Sequence, residues 1–247
     1  YVADQVCFLR YFWERSTEAE RRAFAEAVRG GRIEVAGGMV SQPDTVLPSE
    51  PGLAWDVFLG HRWVMGVLNA TPSPVAWQCD PFGHDPALPE LLLASGYRYV
   101  YFGRSGEGQE GWLPHAFWWV GPTGARVLAY FRDYCAGEFL SRATSADQVA
   151  SRIMEIAEDA RRRDGIGAAI VLVGCDFSPP PAALARLVDD WNRRYLNRTG
   201  VGLVIATPGE AFRFIEERYG GKLREVRLDP NPLWQGWYIT RPAAKLA

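Results

Sequence analysis

Several things this sequence lacks narrow its function before any motif is read. Its 247 residues contain no run of about 18 apolar residues, the length a membrane-spanning helix needs, and the first residues lack the charged-then-apolar order of a signal peptide. Neither a membrane span nor a targeting segment is expected. An excess of one charge is also missing: 27 Lys and Arg stand against 29 Asp and Glu, with no basic cluster to grip a phosphate backbone. Nucleic acid is therefore not an expected partner. Cysteine is scarce, and Cys7, Cys79, Cys135 and Cys175 have neither zinc-ribbon spacing nor the density of a disulfide scaffold. Reduced thiols in a cytoplasmic protein are the expectation. Histidine is scarcer still, and no two of His61, His84 and His115 stand at ligand spacing. Linker-like tracts, low complexity and internal repeats are absent too, so one large domain is expected.

What is present is a large apolar and aromatic content. At 48% hydrophobic residues the chain can bury a full core, and its ten Trp, ten Tyr and twelve Phe also supply flat faces on which sugar rings stack. Helix and strand patterns alternate. Thr17 to Glu20 forms a capping box opening a helix closed by Gly30-Gly31, and residues 33–35 form a short strand. Pro51 starts a helix to about residue 67. Strands follow at 75–79 and 97–102 around a helix at 87–94, and 116–120 with 126–131 form a β-hairpin. A capping box at Ser145 to Gln148 opens a helix to about residue 163. Strands at 168–173 and 201–206 then alternate with helices at 182–195 and 207–219. This order predicts an α/β fold: a largely parallel sheet or incomplete β/α barrel covered by helices, with an inserted β-hairpin. Tyr1 begins inside an element and Ala247 follows an Arg-Pro segment without a stop signal, as in an internal piece of a longer polypeptide.

In such folds, ligands bind beyond the carboxyl ends of the strands. Two acids stand there: Asp80 after the strand at 75–79, and Asp176 after the strand at 168–173. Two carboxylates facing one cleft are what glycoside hydrolysis requires, one to attack the sugar and one to protonate the leaving oxygen. An Asp after a strand also serves as a helix cap or turn residue, and Asp80 before Pro81 suits a turn.

The neighbours of these acids favour the chemical reading. Trp77-Gln78-Cys79-Asp80-Pro81-Phe82-Gly83-His84, followed by Pro86, Pro89, Gly96 and Arg104, closely resembles the nucleophile segment of glycoside hydrolase family 38, the retaining α-mannosidases. Glu34-Val35-Ala36-Gly37-Gly38 with Asp44 resembles the family's glycine-rich loop, and Val173-Gly174-Cys175-Asp176-Phe177 its Gly-Asp-Asp-Phe segment. Leu233-Trp234-Gln235-Gly236-Trp237-Tyr238-Ile239-Thr240-Arg241-Pro242 resembles a segment near the end of its catalytic domain. The resemblance implies that residues 1–247 form a partial catalytic α/β domain, without its upstream first strand and the downstream helical and β domains.

The resemblance also implies roles. Asp80 would be the nucleophile forming a covalent mannosyl-enzyme and also a zinc ligand, and Asp176 the general acid/base. Arg104, Tyr134 and Trp234 would contact substrate, Arg104 beside the nucleophile and Trp234 packing on the sugar. Taken alone, Trp234 is more readily a core residue. His84 would be structural, and His61 and His115 solvated or core histidines rather than metal ligands. The other zinc ligands would lie outside this chain, in a His-x-Asp pair upstream and a His-Asp motif downstream. Cys175 departs from the family pattern, standing where the first of its paired acids would be.

The expected substrate is an α-mannoside or oligosaccharide, with homo-oligomerisation left open. Two other readings are kept: a degenerate, non-catalytic glycan-binding hydrolase domain, and a metal-dependent carbohydrate deacetylase, which would need His and Asp ligands clustered within this chain.

Overall fold

A computed structural model describes residues 1–104 and 112–230. The chain opens with a short strand, β1 (Val2–Ala3), pairing in parallel with β2 (Glu34–Val35), and α1 (Val6–Arg15) and α2 (Glu18–Arg29) lie between them. The capping box expected at the start of α2 forms. The Thr17 hydroxyl accepts the Glu20 N–H at 3.3 Å, and the Glu20 carboxylate accepts the Thr17 N–H at 2.8 Å. Nothing in the sequence announces α1, because its N-cap Gln5 has φ 54° and supplies no side-chain cap.

The main sheet holds β3 (Val75–Gln78), β4 (Tyr99–Phe102), β5 (Ala116–Val120), β6 (Arg126–Phe131) and β7 (Glu225–Val226), in the order β3-β4-β6-β5-β7. Strands β3, β4 and β6 run parallel, β5 returns antiparallel to β6 as the expected hairpin, and β7 is parallel to β5. Both faces are covered, which is why the strands read as nearly continuous apolar runs. Ala76, Val100, Phe102 and Ala129 meet Val57 of α3 (Glu50–Leu68) and Leu88 and Leu92 of α4 (Leu88–Ala94). Opposite them, Val75, Trp77, Tyr99, Tyr101 and Tyr130 meet Phe212 and Ile215 of a further helix (Pro208–Tyr219). A fully buried aromatic such as Phe102 is the kind of residue whose truncation to Ala costs about 3–5 kcal/mol. A satellite cluster around Trp191, Leu187, Ile153 and Leu140 joins α5 (Glu138–Arg142), α6 (Ala150–Asp164) and α7 (Leu184–Thr199). The helix Pro208–Tyr219 is α8.

Two expectations are corrected. The capping box expected at Ser145 does not form, and no side chain caps the start of α6. Thr144 donates its N–H and hydroxyl to Gln148 Oε1 at 2.8 and 3.2 Å, and a 3-10 turn (Asp147–Val149) leads into the helix. Segments 168–173 and 201–206 form no strand among the described residues. Their side chains still alternate, Ala168, Ile170 and Leu172 against the sheet and Val171 and Val173 against the α5–α7 cluster. An apolar run specifies an extended chain, but a strand also needs a neighbour's N–H and C=O groups, and the described residues offer these segments no ladder.

Candidate active site

Asp80 stands two residues beyond the end of β3, whose four residues are buried and paired with β4. The turn that follows is clasped by residues 42–45. Gln42 Oε1 accepts the Asp80 N–H at 3.0 Å, the Asp44 carboxylate accepts the Phe82 N–H at 3.4 Å, and the Thr45 hydroxyl accepts the Asp85 N–H at 3.1 Å. Each such bond contributes about 0.5–1.5 kcal/mol, but losing one strands a backbone donor at greater cost. Asp4 orients the Gln42 amide: its Oδ2 accepts from Nε2 at 2.8 Å, while its Oδ1 accepts the Gln5 N–H at 2.6 Å. Burial pushes the Asp4 carboxyl up to about 7 against the opposing effect of these bonds. Of these residues the sequence singled out only Asp44. The polar run Gln42, Asp44 and Thr45 just after Gly37-Gly38 was the available signal.

Arg104 stands two residues beyond β4. Its Nε bonds Asp80 Oδ1, and its Nη2 donates to the Tyr134 hydroxyl at 3.1 Å. That hydroxyl lies 3.3 Å from Asp176 Oδ2 and donates to it. The guanidinium also faces the rings of Phe82 and Tyr134, at 5.6 and 5.4 Å. The ends of β3, β4 and β6 and the segment between α6 and α7 therefore join in one contact chain, Asp80–Arg104–Tyr134–Asp176. Gly103 makes this possible, since a Cβ there would lie 2.4 Å from the Cys79 carbonyl oxygen and 2.9 Å from the Tyr134 ring.

The electrostatics suit the arrangement. Partial burial works against the Arg104 charge, but its bond to Asp80 and the charge there outweigh this and hold it above its ordinary value. Burial and the Asp80 and Asp176 carboxylates raise the Tyr134 hydroxyl, with Arg104 opposing. Tyr134 is thus a neutral phenol at ordinary pH, able to donate and accept at once. The Asp80 side chain is 54% exposed, open to a ligand from solvent.

Asp176 is placed differently. Its neighbour Cys175 forms a disulfide with Cys135, the residue after Tyr134, and their Cα atoms are 4.6 Å apart. This corrects the expectation of reduced thiols: residues 40 positions apart meet because the turn after β6 packs on segment 171–172. Cys7 and Cys79 are free. Trp234 lies outside the described residues.

The histidines take the structural places expected of them. His84 is fully buried, with Nδ1 3.3 Å from the Thr45 hydroxyl, and burial lowers it to about 3. His61 bonds the Tyr97 hydroxyl at 2.9 Å. His115 is buried between Asp159 and Asp164, at 3.4 and 3.5 Å. Among the described residues no group of three or more His, Cys, Asp or Glu is placed to hold a metal. Asp80, engaged by Arg104, does not fit a zinc site by itself.

A family model described as the N-terminal domain of glycosyl hydrolases family 38 matches residues 1–236. The chain belongs to family 38. Alpha-mannosidase 2 of Spodoptera frugiperda is 29% identical over 124 residues, which are 49% of this chain and 11% of that protein. A probable alpha-mannosidase of Arabidopsis thaliana is 30% identical over 105 residues, and lysosomal alpha-mannosidase of Bos taurus 29% over 105; each alignment covers 42% of this chain and 10% of the relative. The chain spans about a tenth of the curated relatives' length. Among solved structures, an alpha-mannosidase from Enterococcus faecalis V583 superposes with a TM-score of 0.75 at 18% identity, over 90% of this chain and 25% of that one. That likeness shows the fold. A 4-alpha-glucanotransferase from Thermococcus litoralis superposes at 0.57 with 12% identity, over 86% of this chain and 33% of that one, so the fold extends beyond mannosidases.

Family 38 membership supports a glycosidase role. No helix among the described residues is long and apolar enough to cross a membrane. The cytoplasmic expectation is not supported: two of its four thiols are joined, and the bovine relative is named as lysosomal.

Proposed function

We propose that residues 1–247 are part of the catalytic α/β domain of an α-mannosidase that hydrolyses terminal α-mannosides with retention. The observation that carries this reading is the contact chain linking Asp80 to Asp176 through Arg104 and Tyr134. In the first step Asp80 attacks the anomeric carbon, the glycosidic C–O bond breaks, and Asp176 gives its proton to the departing oxygen. In the second, Asp176 takes a proton from water, whose oxygen attacks the same carbon and releases Asp80 and mannose with the original configuration. Arg104 orients Asp80 through Nε and Tyr134 through Nη2. Tyr134 presents a hydroxyl to Asp176, which must hold a proton at one step and surrender it at the next. Trp234 would supply an apolar face to the sugar. A zinc ion would require ligands beyond the described residues, and no step here depends on it.

The test is hydrolysis of an aryl α-mannoside by the whole enzyme, with the anomeric form of the first-released mannose read by NMR. Retention is expected, with turnover abolished in Asp80→Ala. Normal turnover in that variant removes Asp80 from the nucleophile role. The departure at Cys175 keeps a second reading in view, a glycan-binding domain without turnover, and calorimetric binding of mannose with no hydrolysis would favour it.

A further inference from the structure

Both cysteines of the disulfide are immediate neighbours of residues in the contact chain: Cys135 follows Tyr134, and Cys175 precedes Asp176. Little else around Asp176 is regular. No helix or strand is assigned from 165 to 183, and Cys175-Asp176 sits between two residues of positive φ, Gly174 at 133° and Phe177 at 59°. A left-handed conformation is unfavourable for a large side chain, and Phe177 is fully exposed, so its own packing does not hold it there. Upstream, the stretch is anchored at Ile170, whose N–H donates to the Tyr130 hydroxyl at 2.9 Å. At Asp176 itself the anchors are the 3.3 Å bond from Tyr134 and the covalent bridge next door.

A second close approach supports the bridge. Gly137, two residues past Cys135, lies so near segment 171–172 that a Cβ there would sit 2.0 Å from the Leu172 carbonyl oxygen and 2.7 Å from Val171. The turn after β6 and the segment carrying Asp176 are therefore pressed together on both sides of the cysteine pair. Asp80 has no such dependence, because its strand is in the sheet and its turn is clasped by 42–45.

Resting on the function proposed above, we infer that the Cys135–Cys175 disulfide is the positioning element for the general acid/base. It clamps Asp176 against Tyr134, and its reduction disengages Asp176 while leaving Asp80 and Arg104 in place. The reaction is balanced by a dithiol. Its first thiolate attacks one sulfur, the Cys135–Cys175 bond breaks, and the second thiol closes the reductant's own disulfide, so two electrons and two protons end on Cys135 and Cys175 as thiols. Both cysteines are half-buried rather than enclosed, which leaves them within reach of such a reagent.

Three measurements on the whole enzyme test this. A non-reducing peptide map should recover the Cys135 and Cys175 peptides joined; finding both as free thiols before reduction overturns the inference. Hydrogen exchange after reduction and alkylation should rise over 171–182 with β3 and β4 unchanged, and identical exchange in both forms also overturns it. Activity is then compared on two aryl α-mannosides, one with a nitrated phenol that leaves without proton assistance and one with an unactivated phenol that needs it. Reduction, or Cys135→Ser, should lower kcat/KM for the unactivated substrate at least about tenfold and change that for the nitrated one little, because kcat/KM covers only the steps up to departure of the phenol, with recovery on reoxidation of the wild type. Equal losses on both substrates would assign the bridge to general stability instead. Absence of turnover in the oxidised enzyme on either substrate counts against the proposed function alone, and the exchange experiment then decides the role of the bridge.

Discussion

The two carboxylates of the contact chain are held in place by different physical means. Asp80 is positioned from behind by hydrogen bonds: a paired strand, then a turn whose donors meet Gln42, Asp44 and Thr45. Asp176 sits on a stretch without ladder or helix, and its place is set by a covalent bond beside it. The first arrangement is cooperative with the whole sheet, so nothing short of unfolding or cutting a specific bond releases it. The second is local, so one chemical event changes it. The two acids should therefore respond differently to mutation and to reductant.

The largest separation between them should come from direct removal. Asp176→Ala should reduce kcat/KM for an unactivated aryl α-mannoside roughly 10²- to 10⁴-fold and that for a nitrated one far less, whereas Asp80→Ala should disable both; steady-state kinetics on the two substrates read this out. Next is stability. Closing a loop of 40 residues corresponds to about 4 kcal/mol of unfolded-state entropy, so reduction should lower the melting temperature on the order of 10 °C by calorimetry. An unchanged melting temperature would mean the bridge constrains little. Gly103→Ala should cost about 1–3 kcal/mol in denaturant unfolding, because its Cβ meets a carbonyl and the Tyr134 ring, and should weaken both acids' settings together. A separate contrast belongs to Asp4. Its folded-state value of about 7 lies above the ordinary 3.8, so the folded form holds an extra proton between them, and the stability this lends is full below about pH 4 and lost as pH rises through about 7. Asp4→Asn lacks that slope, and its melting temperature relative to the wild type should rise across the window. A constant offset would mean Asp4 titrates normally.

The difference between the two regions also explains what the sequence made legible. Asp80 could be found because it follows a strong strand pattern by one residue, and a strand end is a place with known geometry; Arg104 was named by the family resemblance, and the structure puts it two residues beyond β4. The helix starting at Thr17 and the hairpin at 116–131 were equally local, written in caps, turns and period-two runs. Gln42 and Asp4 escaped because their role exists only once residues nearly 40 positions apart lie side by side. The disulfide escaped for the same reason, and because four scattered cysteines resemble a reduced protein more than a bridged one. The runs at 168–173 and 201–206 carry the side-chain alternation of strands, but pairing is a property of neighbours, and their own residues do not supply it.

The hairpin reversal within the main sheet has an engineering consequence. Because β5 runs against β6 and β7 follows β5, the carboxyl ends of β3, β4 and β6 open toward Asp80, Arg104 and Tyr134, while β5 and β7 end at the opposite edge. Libraries meant to retune substrate choice should therefore vary positions such as Pro86 and Ala136 in the turns at 81–87 and 132–137, sparing His84, Tyr134, Cys135 and Gly137. The turn joining β5 to β6 is a place for tags and fusions, because it lies at the edge of the sheet opposite these residues.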